Sequence, residues 1–190
     1  RIHIAAEKVA KRQNFRVISF KNKKEMRKMI PAINIVNQEA FQGNPGYYPS
    51  TQAEFDLLAK NMIQILDPGL PKLIMKGDEV AGFVLAYKNI SRGIQRSKGR
   101  IWPFGWAQLL KDKRQTRLID INGVGLLPKY QGLGANALLY SELEKSIRAS
   151  DCDIAEFVQI DEQNYKSKSD MERIGVTWHK RHRTYQLSIK

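Results

Sequence analysis

Cysteine is nearly absent: the 190 residues hold one, Cys152. A single thiol closes no intrachain disulfide, which excludes a disulfide-stapled secreted scaffold. Its neighbours Asp151 and Asp153 oppose a thiolate, so a buried, inert thiol is expected rather than a nucleophile, in a reducing, cytoplasmic compartment. Histidine is also scarce. His3, His179 and His182 show no metal-ligand spacing, so no metal site is expected. No apolar run approaches the ~18 residues that a membrane-spanning helix needs. No signal-peptide pattern, internal repeat or low-complexity tract is visible. Acidic residues are in short supply too: 19 Asp and Glu against 32 Lys and Arg leave a formal net charge of +13. That surplus attracts anions. Nucleic acid, an acidic membrane and a phosphate-bearing cofactor are all candidates, and charge alone does not choose among them.

What is present suits a folded domain. Hydrophobic residues make up 42% of the chain, enough for a core and too many for disorder. The length fits one α/β domain. Ile2, Ala5, Ala6 and Val9 follow helical spacing, and because the chain starts at Arg1, this helix or linker over 1–14 is expected to continue an upstream region. Phe15–Phe20 alternates as a first strand. Lys23–Phe41 has a helical apolar period, within which Pro31 predicts a kink or a break. Gln42–Ser50 is loop, and Thr51-Gln-Ala-Glu54 is a capping box opening a second helix. Leu73–Met75, a turn at 76–79 and Val80–Tyr87 read as a hairpin. The basic segment 89–116 is too long for a plain connection and predicts a functional loop or short helix. Arg117–Leu127 is a strong strand, Pro128–Gly134 a turn, Ala135–Ala149 a helix. Ala155–Ile160 is a strand, Asn164–Ile174 a helix stopped by Gly175, and Arg183–Ile189 a final strand. The order predicts an α/β domain with a central mixed β-sheet flanked by helices on both faces.

The chemistry concentrates where the strong strand runs through a glycine turn into a helix. Helix N-termini expose unpaired N–H groups and partial positive charge, and glycine lets an anion approach the backbone. Gly-Lys-Ser/Thr is missing, so this is no Walker loop. Gly132-Leu-Gly134-Ala-Asn-Ala137 lacks the third glycine of a dinucleotide fingerprint. A purely structural glycine turn is the competing reading.

Gln131-Gly-Leu-Gly134-Ala-Asn136 resembles the motif Gln/Arg-x-x-Gly-x-Gly/Ala of GNAT acetyltransferases, matching at Gln131 and Gly134. Leu126-Leu-Pro128-Lys-Tyr130 resembles its lead-in. Asn164 with Met171-Glu-Arg-Ile-Gly175-Val176 resembles the family's Asn-x-x-Ser/Ala…Tyr-Glu-Lys-Leu-Gly-Phe helix. The resemblance covers 15–190, with 89–116 as an insertion, and implies a GNAT-like acyl-CoA N-acyltransferase fold. It implies acetyl-CoA, or another acyl-CoA, as cofactor and an amine as acceptor. Gln131, Gly132, Leu133, Gly134, Ala135 and Asn136 would hold the pyrophosphate. Val124, Gly125 and Leu126 would pair with the pantetheine arm, and a backbone N–H there would polarise the thioester.

Asp120 is the expected base, on one strand face with Asn122 and Val124 if alternation holds; a strand-end carboxylate with no role is the alternative. The motif's last Gly/Ala is Asn136, which tolerates unusual φ and offers a side-chain donor. Met171 stands where the family often has an acidic Tyr, so Tyr165 or a water would have to protonate the thiolate, or the domain binds acyl-CoA without turnover. Asn164 would hold a cofactor carbonyl or cap its helix. Tyr47, Trp102 and Trp106 fall where this fold lines acceptor sites. The Trp-containing segment reads four ways: a lid over the substrate, a membrane contact, packing within the insertion, or, least favoured, an RNA-stacking surface.

Overall fold

The computed structural model describes residues 2–44, 47–183, 185, 187 and 188. The chain divides into two compact units, 1–158 and 159–190.

The first unit is built on a five-stranded sheet in the order β1-β2-β3-β4-β5. β1 (Phe15–Ser19), β2 (Lys72–Lys76), β3 (Glu79–Lys88) and β4 (Leu118–Leu126) pair antiparallel in succession, and β5 (Ile154–Phe157) pairs parallel with β4. The β2–β3 turn uses Gly77 at φ +60, the left-handed region that glycine enters without a Cβ penalty. Apolar residues of both parities are buried on these strands, so each face carries its own core. On one face Ile74, Val84, Ile119, Ile121 and Leu126 pack with Leu138, Leu139 and Leu143. Those three leucines come from α6 (Ala135–Arg148), and Ala6 of α1 (Ile2–Gln13) joins them. On the other face Leu73, Met75 and Phe83 pack with Met26 and Val36 of α2 (Lys23–Phe41) and Ile63 of α3 (Gln52–Ile65).

Capping fixes where α2 and α3 begin. Asn22 Oδ1 accepts the Glu25 N–H at 2.9 Å. At α3 the Thr51 N–H donates to Glu54 Oε2 at 2.8 Å while Thr51 Oγ1 accepts the Glu54 N–H at 3.3 Å, a reciprocal box. α2 runs unbroken through Pro31, so the expected split does not occur. α1 is tied to α6 by His3, whose Nδ1 lies 2.7 Å from Ser141 Oγ and whose Nε2 lies 3.2 Å from Glu144.

The segment 89–116 is two helices, α4 (Ser91–Arg96) and α5 (Gly105–Gln115), packed mainly on each other. Gly93 lets α5 approach: a Cβ there would sit 3.0 Å from the Gln108 carbonyl oxygen. The Gly93 N–H donates to Asp112 Oδ2 at 2.7 Å.

The second unit contains α7 (Tyr165–Ile174), closed by Gly175 at φ +86. The expected strand Arg183–Ile189 lies partly outside the described residues. Arg183, Tyr185, Leu187 and Ser188 have no strand geometry, and Thr184, Gln186 and Ile189 lie outside the described residues. Tyr185 and Leu187 are more than 80% exposed, so alternation there marks no buried face. Of the loop 42–50, Pro45 and Gly46 lie outside the described residues as well.

Candidate active site

β4 carries the site, and a bulge decides its geometry. Val84 pairs with Val124 but Ala86 pairs with Ile121, so Asn122 and Gly123 together oppose the single residue Leu85. Gly123 takes φ +112, which the extra residue requires. The bulge breaks the alternation assumed for Asp120, Asn122 and Val124. Ile119, Ile121, Val124 and Leu126 all face the α1/α6 core, whereas Asn122 hydrogen-bonds to Tyr87, which packs on the opposite face. Val124 therefore does not share a face with Asp120.

Beyond the bulge β4 has a partner on one side only. β5 pairs with Leu118–Ile121 and its ladder stops at Ile121↔Phe157. The stretch Asn122–Leu126 thus offers a strand edge toward that side among the described residues. It leads directly into the turn, a single 3-10 turn at Pro128–Tyr130 and then Gly132 at φ +77 and Gly134 at φ +83. Gly134 is the N-cap of α6, so the cap residue itself presents backbone and no side chain at that helix start. Gln131 folds back, its Nε2 donating to the Leu126 carbonyl at 3.3 Å. Lys129 and Tyr130 both bond Glu79 at 2.6 Å, which pins the turn to β3 and holds the Glu79 carboxyl below its ordinary value. A Cβ on Gly134 would meet Val9 Cγ2 at 2.7 Å, so α1 packs right against the turn.

On the α2/α3 face of the sheet Asp120 is 8% exposed and pairs across the ladder with Tyr87. Asn89 Nδ2 donates to Asp120 Oδ2 at 2.8 Å, and Asn122 Nδ2 donates to the Tyr87 hydroxyl at 3.0 Å. The result is a compact group of one carboxylate, one phenol and two amides beside the bulge. Further along the same face Gly125 lies under Phe83 and Ala40, where a Cβ would come within 3.2 Å of both.

No protein-family model matches the chain. Among solved structures, the aminoglycoside N-acetyltransferase AAC(6')-Iy, in complex with a bisubstrate analogue of CoA, superposes with a TM-score of 0.58 at 11% identity over 92% of this chain and 99% of that one. An aminoglycoside acetyltransferase from an uncultured soil metagenomic sample superposes with a TM-score of 0.58 at 15% identity, over 92% and 99%. The chain has the GNAT acetyltransferase fold.

By sequence, the chain is 27% identical over 166 residues to the bacterial ceramide synthase of Caulobacter vibrioides, covering 84% of this chain and 43% of that protein. It is 24% identical over 189 residues to protein YghO of Escherichia coli K12, covering 96% and 48%. The chain thus spans somewhat less than half the length of these curated relatives.

Laid on this GNAT fold, the remaining candidates scatter. Tyr47 joins an aromatic row with Phe41 and Phe83, ring centroids 6.2 and 6.4 Å apart in turn, which leads to Gly125. Its hydroxyl is buried without a hydrogen-bond partner among the described residues. Trp102 and Trp106 stand on the insertion, 80% and 48% exposed. Asn164 acts as a helix cap, its Oδ1 accepting the Ser167 N–H at 3.0 Å. Tyr165 is largely exposed and Met171 is buried, both in the second unit. Cys152 is buried, and burial pushes its thiol up, as expected of an inert cysteine. A cavity of about 650 Å3 opens elsewhere, beside Leu70, Leu110 and Ser146. Its Lys88–Asp151 and Lys113–Asp67 pairs already match charge on its wall, at 2.6 and 2.7 Å. The sequence reading missed Tyr87 and Asn89. Tyr87 is the one polar-tipped side chain ending an apolar strand, and that was the signal available.

Proposed function

We propose that the chain is an N-acyltransferase that moves an acyl group from an acyl-CoA to the amine of a lipid. The observation that carries this reading is the one-sided edge Asn122–Leu126, continuous with the Gly132/Gly134 turn and flanked by the Asp120–Asn89–Tyr87–Asn122 group. The backbone N–H groups of Gln131–Asn136 hold the pyrophosphate, which suits a helix start whose cap residue is a glycine. Val124, Gly125 and Leu126 pair with the pantetheine arm as a neighbouring strand would. A bound acyl-CoA supplies an activated thioester carbonyl. A backbone N–H of the β4 edge donates to that carbonyl. Asp120, held by Asn89, accepts the proton of the attacking amine, directly or through a water. Tyr87 spends its oxygen lone pair on Asn122 and keeps its own proton for the leaving thiolate.

The acceptor class rests on the ceramide synthase among the relatives, since a ceramide is the amide of a fatty acid and a long-chain amine. The superposed aminoglycoside acetyltransferases support the broader statement, an amine acceptor. A second reading, acyl-CoA binding without turnover, is favoured by buried Met171 in place of the expected tyrosine.

Isothermal titration with acetyl-CoA, a long-chain acyl-CoA and free CoA tests the site. Binding in the micromolar range that Leu133→Glu abolishes supports it. Gly134 is unsuitable for this purpose because its substitution disturbs Val9. A thiol-release assay with a long-chain amino alcohol then separates the two readings. Asp120→Asn should lower kcat by roughly 10²–10⁴-fold with CoA affinity retained. Binding with no thiol release from any amine favours the second reading, and no binding sinks both.

A further inference from the structure

The helical insertion between β3 and β4 puts its large apolar side chains in solvent. Trp102 and Phe104 are 80% and 77% exposed, and Ile94, Ile101, Trp106 and Leu110 follow at 46–64%. All six belong to one structural element, the packed pair α4–α5 with the turn between them. Ile101, Trp102 and Phe104 lead into the start of α5, and Trp106 and Leu110 lie one turn apart along it. This region is also not a slack loop. A Cβ on Gly105 would fall 1.7 Å from the Arg100 carbonyl oxygen, and Asp112 holds the Gly93 N–H, so the two helices and the turn between them are locked. Exposure of this kind on a built element marks a binding surface.

The charges around it define the partner. Segment 89–116 contains seven Lys and Arg and one acid, Asp112. That acid is 5% exposed and spent on the Gly93 N–H. The surface of the insertion therefore shows only cations: Arg92, Arg96, Lys98, Arg100, Lys111 and Arg114 are all exposed. A protein partner would leave these cations unmatched unless its own surface were acidic. Nucleic acid would use the aromatics for stacking but would leave Ile94, Ile101 and Leu110 without a role. Exposed Trp and Phe in the turn before α5, exposed aliphatic residues on the same two helices and exposed cations interspersed among them match a bilayer interface, where rings enter the headgroup region and cations meet anionic lipid.

We infer that the α4–α5 insertion docks the protein on an anionic membrane surface, with Trp102 and Phe104 entering the lipid interface. This inference does not depend on acyl transfer. The insertion leaves the sheet at Lys88 and returns at Leu118, two residues from Asp120. Docking would thus bring the Asp120 end of the sheet close to the lipid.

The test is co-sedimentation of the 190-residue chain, without CoA, with vesicles of phosphatidylcholine alone and of phosphatidylcholine containing phosphatidylglycerol. Binding is expected to the anionic vesicles and to weaken with added salt. Trp102→Ser with Phe104→Ser should weaken it by roughly tenfold or more. Each of Arg96→Gln, Lys98→Gln and Arg100→Gln should weaken it by roughly fivefold. In a Trp178→Phe background, tryptophan emission should shift to the blue on vesicle addition and be quenched by brominated lipid. Unchanged circular dichroism of the variants keeps folding out of the comparison. No vesicle binding overturns the inference. So does equal binding by the Trp102/Phe104 variant, which would mean charge alone. Retention on a single-stranded oligonucleotide without vesicle binding, or a concentration-dependent dimer lost with Trp102→Ser, would hand the surface to another partner. Titration with CoA is independent of every arm, so failure here leaves the acyltransferase reading standing.

Discussion

Two regions of this molecule are rich in large apolar residues, and they use them in opposite ways. In α6, Leu138, Leu139 and Leu143 are buried against the sheet, with Leu139 at 0% exposure. In the insertion, aromatic and aliphatic residues of similar size stand in solvent, and the helices that carry them pack chiefly on each other. Composition does not distinguish the two. What separates them is periodicity against a partner: α6 lies across four strands of the sheet, while α5 packs mainly on α4. An apolar residue becomes core only where the topology supplies a surface to meet it.

The contrast can be broken experimentally, and the largest effect should come from the buried side. Leu139→Ala should cost about 2–5 kcal/mol, since it leaves a cavity in a packed core. The urea midpoint reads this directly, and a loss near zero would mean that α6 is loosely seated. Next is Gly105→Ala, which forces the Arg100 carbonyl away. It should cost about 1–3 kcal/mol of local packing and raise amide exchange across 91–115 while β2, β3 and β4 stay protected. If those strands exchange faster too, the insertion belongs to the cooperative core and the contrast fails.

A third test uses Lys72, 1% exposed, whose Nζ donates to Ser19 Oγ at 2.9 Å, Ser146 Oγ at 2.7 Å and the Gly69 carbonyl. Burial pulls its ammonium below the ordinary 10.5. Between that lowered value and 10.5 the unfolded chain binds more protons than the folded one, so stability rises with pH across the window. The parent should therefore gain on Lys72→Met between neutral pH and pH 10 in parallel urea titrations. An opposite slope would mean that its surroundings favour the charged form. The smallest effect is expected at Trp102→Ala, within about 0.5 kcal/mol in either direction, despite removal of the largest side chain type. A larger drop in melting temperature would show that Trp102 packs in solution.

The same contrast explains what the sequence disclosed. The β4–turn–α6 segment was legible because each of its signals is local: a buried apolar run, a Pro-led turn, two glycines and a helical period, all within about 30 residues. The capping box at Thr51 and the αL stop at Gly175 were legible for the same reason. The bulge was not, because Asn122-Gly123 is an extra residue only relative to Leu85 on another strand. Nor was the Asn89–Asp120 bond, which joins residues on either side of the insertion. The insertion was read only as a functional loop or short helix, and its pair of helices was not resolved, because α4 has only six residues and is stabilised by contact with α5 at Gly93 rather than by its own pattern. Arg183–Ile189 shows the reverse: it has the period of a strand, but among its described residues Tyr185 and Leu187 are exposed and serve no buried face.

The extra residue at Gly123 also marks where this chain can change in length. Asn122 and Gly123 share one position opposite Leu85, so removing Gly123 would restore simple parity along β4 and leave Val124 and Leu126 in the α6 core. A single-codon deletion there would straighten the strand beside the site and leave the core as it is. The same deletion elsewhere along β4 would turn every side chain beyond it to the other face, so the bulge is where this strand can lose a single residue.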